Sequence, residues 1–425
     1  MNKRRLINTL QNLTLLALTA SALFLLTRPA LLGDSWLPRV QSIFSADQGE
    51  AAQSGPADLT DALGSVHFVA TGDIEYGRFS CLYLDSRDAS LTQVLPLFQE
   101  ALGSALTPES VAQTQFQKAL SSPGFYLDLR LDMPMDILCA WLGEAASVPV
   151  KSVEAVALTA ESQSNACLYL CARDGTVTRC ATALPVSAVR EAADRFSPNG
   201  GSFAFESGYA TLSPRTVLVS QVAPVTDLQL LLPDGYSAYN LLTALDFNPH
   251  TNYRYNESGG AEVVYDSTRS LRISQGGTVS YTGDSQVTSS LYHVSHTGEA
   301  PTAVEALSAA LHLASALSQG TGAAPLTLLS AQSDGGEWVI SFGYQAGGLP
   351  ILLPGGEAAL TVTITGSTVT AMTYHCRTFR YAQTQQTLLP PSMAVAVASL
   401  RPGGGLDLAY VAGNGDEMTA QWLGN

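Results

Sequence analysis

The sequence predicts an α+β fold: a single N-terminal transmembrane helix, then an extracytoplasmic part of mixed helices and antiparallel β-sheets. Three observations lead there. Met1 to Arg5 carry three cations (Lys3, Arg4 and Arg5) and precede a run from Leu13 to Thr27 that holds no charge. The whole chain is acidic, at a formal −15, so the part beyond this basic foot is more acidic still. Hydrophobic residues make up 46% of its 425 residues and charged ones only 13%, enough apolar material for a large core of two or three domains.

Leu13 to Leu32 supplies the roughly 20 residues of a spanning helix, provided Arg28 extends its stem to the outer headgroups. Lys3, Arg4 and Arg5 place the N-terminus in the cytoplasm, and Trp36 suits the outer aromatic belt. A cleaved signal peptide is the alternative. No small-x-small site closely follows the apolar run, and no cysteine follows it for a lipid anchor, so an uncleaved single-pass anchor in the cell membrane is the expected form. Thr14, Ala17 and Ser21 form a small-residue stripe of the kind that lets membrane helices approach closely; they are the candidate partner-contact residues. The expected organisation is foot and anchor over 1–33, linker over 34–62, an N-terminal α+β ectodomain over 63–232, and a C-terminal region of one or two helix-plus-sheet units over 233–425.

Beyond the linker, Val66 to Ala70 and Arg78 to Leu84 read as strands, and Leu91 to Leu102 as a helix. Thr107 with Pro108 reads as the N-cap and first position of a second helix burying Val111, Phe116 and Leu120. Phe125 to Asp132 alternates, with Phe125, Leu127, Leu129 and Leu131 on one side and Tyr126, Asp128, Arg130 and Asp132 on the other, which predicts a half-buried strand. Asp136 to Leu142 is expected as a helix, and Gly208 to Gln221 as further strands. A boundary is placed at Leu232 to Gly235. Then come a helix over Tyr239 to Leu245, and strands over Ala261–Asp266, Leu271–Ser274 and Thr278–Tyr281. Thr302 and Glu305 form a capping box opening a helix to Gly320, with Val304, Leu307, Leu311 and Ala314 as its apolar stripe. Strands are expected at Leu326–Ala331, Trp338–Tyr344, Leu360–Thr365, Val369–Tyr374 and Leu406–Val411, with a helical turn near Pro391 to Leu400. The segment from Leu271 resembles that from Leu360, each a strand, a glycine turn and a strand, offset by one residue.

Little in this chain announces chemistry. Cys167, Cys171 and Cys180 surround a hairpin that a two-residue turn at Asp174-Gly175 would place with all three thiols on one face, Cys171 opposite Thr178 and Cys180 opposite Tyr169. Their spacing suits neither a zinc site nor a direct disulfide, and buried free thiols are expected, Cys81, Cys139 and Cys376 included. His293 and His296 lack the glutamate of a metalloprotease helix, and on an extended segment they point to opposite faces. Glu100 and Asp128 offer a glycosidase-like carboxylate pair, one of many in a chain with 36 acidic residues. No nucleophile elbow or phosphate loop occurs. The acidic balance argues against nucleic acid. No catalytic residue, metal or cofactor is expected.

Several segments in order, among them Ala119 to Asp128, Met135 to Gly143, Gly277 to Tyr281, Phe342 to Pro350 and Leu388 to Ala394, with a last strand near Trp422 after them, resemble the YycH/YycI-type regulators of Gram-positive bacteria. That resemblance implies a membrane-anchored regulator acting through membrane-helix and ectodomain contacts. Its partners would be the WalK (YycG) sensor histidine kinase of a cell-wall-related two-component system and a paralogous regulator. The other reading is an envelope enzyme or a glycan- or peptide-binding module acting on wall precursors, with aromatics such as Trp141 and Trp338 lining a deep cleft.

Overall fold

Strands are the main regular structure, several of them with buried residues alternating at period two. The computed structural model describes residues 59–73, 77–145, 148–209, 211–219, 222, 224–231, 238–284, 287, 289–318, 320–397, 403–413 and 415–424. The foot, the anchor with Thr14, Ala17 and Ser21, and the linker up to residue 58 lie outside them. No described helix is long and apolar enough to cross a membrane. The linker's expected end is shortened by a helical turn over Leu59–Ala62.

Seven strands make the smaller sheet: β1 (Val66–Thr71), β2 (Phe79–Leu84), β3 (Leu106–Val111), β4 (Gly124–Pro134), β5 (Ser152–Thr159), β6 (Asn165–Cys171) and β7 (Val177–Pro185). Their spatial order is β2-β1-β4-β5-β6-β7-β3, antiparallel throughout. One face packs Phe68, Phe125, Leu158 and Leu168 under Leu91, Phe98, Leu138 and Val189 of the helices between and after the strands. The opposite face packs Tyr126, Ala157 and Tyr169 against Phe116 and Leu120.

Three expectations change here. The helix over Leu91 to Leu102 is split into Ala89–Thr92 and Leu95–Gly103, because Pro96 has no N–H for the preceding turn. The helix expected at Thr107 begins only at Gln113. Leu106–Val111 is instead the edge strand β3, with Thr107 at φ +46 in its irregular register against β7. An edge strand tolerates Pro108 because one side of its backbone needs no donor. The cysteine hairpin closes through three residues, Arg173 to Gly175, not two. The Ala172 N–H donates to the Thr176 carbonyl and Gly175 takes φ +87. The extra residue sets Cys171 opposite Val177 and Cys180 opposite Leu168. Cys180 therefore joins the opposite face from Cys167 and Cys171, as a one-residue slip requires.

None of the six cysteines is in a disulfide. Burial pushes the Cys171 thiol up to about 12 and Cys167 up to about 11, which keeps both as unreactive thiols. A thiol reagent at pH 8 is therefore expected to modify the partly exposed Cys81 and Cys139 first and Cys167, Cys171 and Cys180 only on unfolding; rapid native labelling of Cys171, read by peptide mass mapping, would contradict this packing.

A short pair, β8 (Ser202–Phe203) with β9 (Val217–Leu218), is all that forms of the strands expected over Gly208 to Gln221 among the described residues. The larger sheet comprises β10 (Val225–Leu231), β11 (Arg254–Asn256), β12 (Glu262–Asp266), β13 (Arg269–Ile273), β14 (Thr278–Gly283), β15 (Leu326–Asp334), β16 (Glu337–Ala346), β17 (Leu349–Ile351), β18 (Leu360–Thr365), β19 (Thr368–His375), β20 (Thr378–Gln386), β21 (Leu406–Ala412) and β22 (Glu417–Gly424). The boundary expected at Leu232 lies among undescribed residues, but β10, just before it, is already hydrogen-bonded between β20 and β22. Sheet membership therefore changes before residue 225.

The two similar segments are real hairpins set side by side: β13–β14 and β18–β19 abut through antiparallel pairing of β14 with β19. The first turns through Gln275 to Gly277, with Ser274 N–H donating to the Thr278 carbonyl, the second through Gly366-Ser367 alone. The second segment is nonetheless one residue longer overall, because its first strand runs further before the turn and carries a register shift at Thr363/Ile364. The helix over Ala303–Ser318 opens on the expected box, Thr302 N–H donating to Glu305 and Glu305 N–H to the Thr302 hydroxyl. Of its expected stripe Leu307 and Ala314 are buried while Val304 and Leu311 are half-buried, and Ala306, Ala310, Leu313 and Leu317 extend the buried face to one side.

One continuous core runs from Phe68 and Phe125 in the smaller sheet to Leu313, Phe342 and Leu408 in the larger half, and Pro56–Asn425 form one compact unit.

Candidate functional site

The strand β4 departs from β5 between Asp128 and Met133, a bulge that leaves Arg130 with φ +61. Bulges bend a strand and re-aim its side chains. Here Leu129 and Leu131 remain buried as the alternation predicts, but the side expected to be polar is covered. Tyr126 is fully buried, and Arg130 reaches Asp407 on β21, with Nη2 donating to Oδ1 over 3.2 Å. The Asp128 carboxylate accepts the Arg130 backbone N–H and supports the turn.

His67 on β1 and Tyr83 on β2 converge on the same carboxylate. His67 Nε2 lies 3.4 Å from Asp407 Oδ1, a polar contact without hydrogen-bond alignment. The Tyr83 hydroxyl lies 3.2 Å from Asp407 Oδ1 and 3.1 Å from the Leu408 carbonyl as acceptors, and it accepts the Leu408 N–H. The Arg130 guanidinium also lies 5.0 Å from the Tyr83 ring centroid. Burial alone would raise the Asp407 carboxyl, but the His67 contact and the Arg130 charge outweigh it and hold it well below the usual carboxylate range. Burial, then the Asp407 charge, pushes the Tyr83 phenol well above its usual value, so it stays a donor. A second tie lies nearby: Ser65 Oγ donates to the Gly348 carbonyl at 2.5 Å, and Gln345 Nε2 donates to Ser65 Oγ at 2.7 Å.

Two concavities flank this junction. A polar one of about 370 Å³ is lined by His67, Asp128, Arg130, Glu154, Arg215 and Asp407, with Arg173 also on its wall. Arg215 Nη2 donates to Glu154 at 2.9 Å, and burial raises the Glu154 carboxyl despite that partner. The other, about 610 Å³ and mostly apolar, is lined by Phe79, Tyr83, Val225, Leu349, Leu408 and Tyr410.

Among the described residues no hydroxyl hydrogen-bonds to His67, so no nucleophile triad is formed among them around the His67–Asp407 contact. No group of three or more potential metal ligands occurs among them either. His293 and His296 are held separately: His293 bridges Thr368, and His296 contacts Ser367 Oγ and the Gly298 carbonyl. Asp128 lines the polar cavity but Glu100 does not, so the two do not form a carboxylate pair there. Trp141 and Trp338 line neither cavity, and Trp338 Nε1 donates to the Pro301 carbonyl. The candidate residues Thr14, Ala17 and Ser21 lie outside the described residues. Asp407 carries no signal in the sequence, because its partner Arg130 lies 277 positions away and Tyr83 lies 324 away.

Two mainly antiparallel sheets sharing one core and tied across a partly buried carboxylate define an α+β protein of mixed helices and sheets. That architecture is similar to YycH from Bacillus subtilis, whose crystal structure matches with a TM-score of 0.52 at 10% identity, covering 87% of this chain and 97% of that one. The likeness shows a YycH-like fold and does not bear on YycI. No family model matches the sequence, and no curated protein matches it. The segments that carry the resemblance in the sequence fall at element ends: Met135 to Gly143 is a helix closed by Gly143 at φ +74, and Phe342 to Pro350 is the β16–β17 turn through Gly347 and Gly348.

Proposed function

We propose that this protein is a membrane-anchored extracytoplasmic regulator that modulates a sensor histidine kinase of a cell-wall-related two-component system by protein–protein contact. The YycH-like fold, over 87% of the chain, is the observation that carries this reading. The topology comes from the sequence: Lys3, Arg4 and Arg5 stay in the cytoplasm, Leu13 to Leu32 spans the membrane, and the acidic remainder lies outside. The protein works without catalysis or a cofactor, through its helix and its ectodomain, beside a paralogous regulator.

Thr14, Ala17 and Ser21 form the membrane contact with the kinase. Replacing Ala17 and Ser21 by leucine holds two helix backbones apart, and is expected to lower the kinase recovered in detergent co-purification about fivefold, the factor that ~1 kcal/mol represents. The circular dichroism of the protein should not change. Undiminished recovery would place the contact elsewhere.

A further inference from the structure

The polar cavity beside the junction carries more charge than the junction needs. Two ion pairs cross its wall, Arg130 with Asp407 at 3.2 Å and Arg215 with Glu154 at 2.9 Å. Asp128 adds a third carboxylate. Arg173, exposed on the β6–β7 turn, adds a third guanidinium, with no hydrogen bond or ion pair among the described residues. Deeper in, the buried Arg130 Nε has no acceptor. An unpaired buried donor costs roughly 1–3 kcal/mol, and for a charged group more. That nitrogen is sealed from the cavity, so what the wall offers an occupant is the rest of Arg130 beside a further acid and a further base.

The balance of charge selects the occupant's chemistry. A simple anion would meet three carboxylates, and a simple cation three guanidiniums; a molecule with one of each charge at its two ends satisfies both sets. A volume of about 370 Å³ accommodates an amino acid or a dipeptide. We propose that this cavity binds a zwitterionic amino acid or dipeptide, its carboxylate held by Arg173 and the Arg130 guanidinium and its ammonium by Asp128. Binding is read on this protein alone, so the inference stands or falls separately from the kinase contact.

The test is isothermal titration calorimetry of the full chain in detergent with alanyl-alanine, N-acetyl-alanyl-alanine and alanyl-alanine amide. Alanyl-alanine is expected to bind with a sub-millimolar Kd. Each capped probe should bind at least about tenfold more weakly, as should alanyl-alanine to Arg173→Gln and to Asp128→Asn. Arg173 is exposed on a turn, and an asparagine at 128 still accepts the Arg130 N–H, so both variants retain the fold; circular dichroism checks this. Absence of binding up to about 10 mM, or equal binding of the acetylated probe as at a simple anion site, would overturn the proposal.

Discussion

Replacing Asp407 by alanine is expected to destabilise the protein by about 3 kcal/mol, measured by urea unfolding. Removing one partner of a buried ion pair costs roughly 3–5 kcal/mol, because the other charge is left without compensation. The lower end applies because the Asp407 side chain keeps 21% of its exposure, against 14% for Arg130. His67 and Tyr83 lose a partner at the same time. The loss belongs to the orphaned charge and not to the residue alone, so Asp407→Ala with Arg130→Met should recover part of it. Additive losses in the double variant would mean that the two side chains act independently.

The same carboxylate sets a pH dependence. Its folded value is depressed, so its stabilisation is present above the unfolded value of about 4 and is lost as pH falls through the folded one. The stability difference between the natural protein and Asp407→Asn should therefore be full near neutrality and shrink below about pH 4. A difference that grows on acidification would contradict the charged state assigned to Asp407.

Replacing Gly322 by alanine is the second large effect, expected at about 3 kcal/mol. Gly322 has φ +72 where the chain leaves the helix over Ala303–Ser318 and crosses Phe379 of β20. A Cβ there would fall well inside van der Waals contact of the Phe379 carbonyl oxygen. That oxygen accepts the Ala323 N–H at 2.8 Å, and Phe379 N–H donates to Thr321 at 3.0 Å, so relieving the clash loosens both bonds. Left-handed backbone costs a non-glycine residue of order 1–3 kcal/mol, and each lost hydrogen bond about 1 kcal/mol more. Urea unfolding of Gly322→Ala with the loss below about 1 kcal/mol would show that the crossing is slack.

The range of each interaction decides how much of the molecule was legible in its sequence. Leu360–Thr365 and the capping box at Thr302 are local patterns, and both form as read. Thr107-Pro108 is an equally local signal that fails, because pairing of Glu109 to Val111 with β7 outweighs it. Strands β10 and β20 are not legible: Thr378–Gln386 is mostly polar, and it is held in place by its neighbours in the sheet, not by its own pattern. Alternation does separate the face carrying Asp128, Arg130 and Asp132 from the apolar one. It is silent on what covers that face, since β21 arrives from far along the chain. Arg130 in a bulge is the one local trace of the junction, and bulges have no sequence signature at this position.

The regulatory account is tested most directly by purifying the full chain from its own membranes in mild detergent and identifying bound proteins by mass spectrometry. The account predicts a sensor histidine kinase among them, recovered at reduced yield with the Ala17→Leu, Ser21→Leu variant. Recovery of the protein with no sensor kinase bound would contradict it.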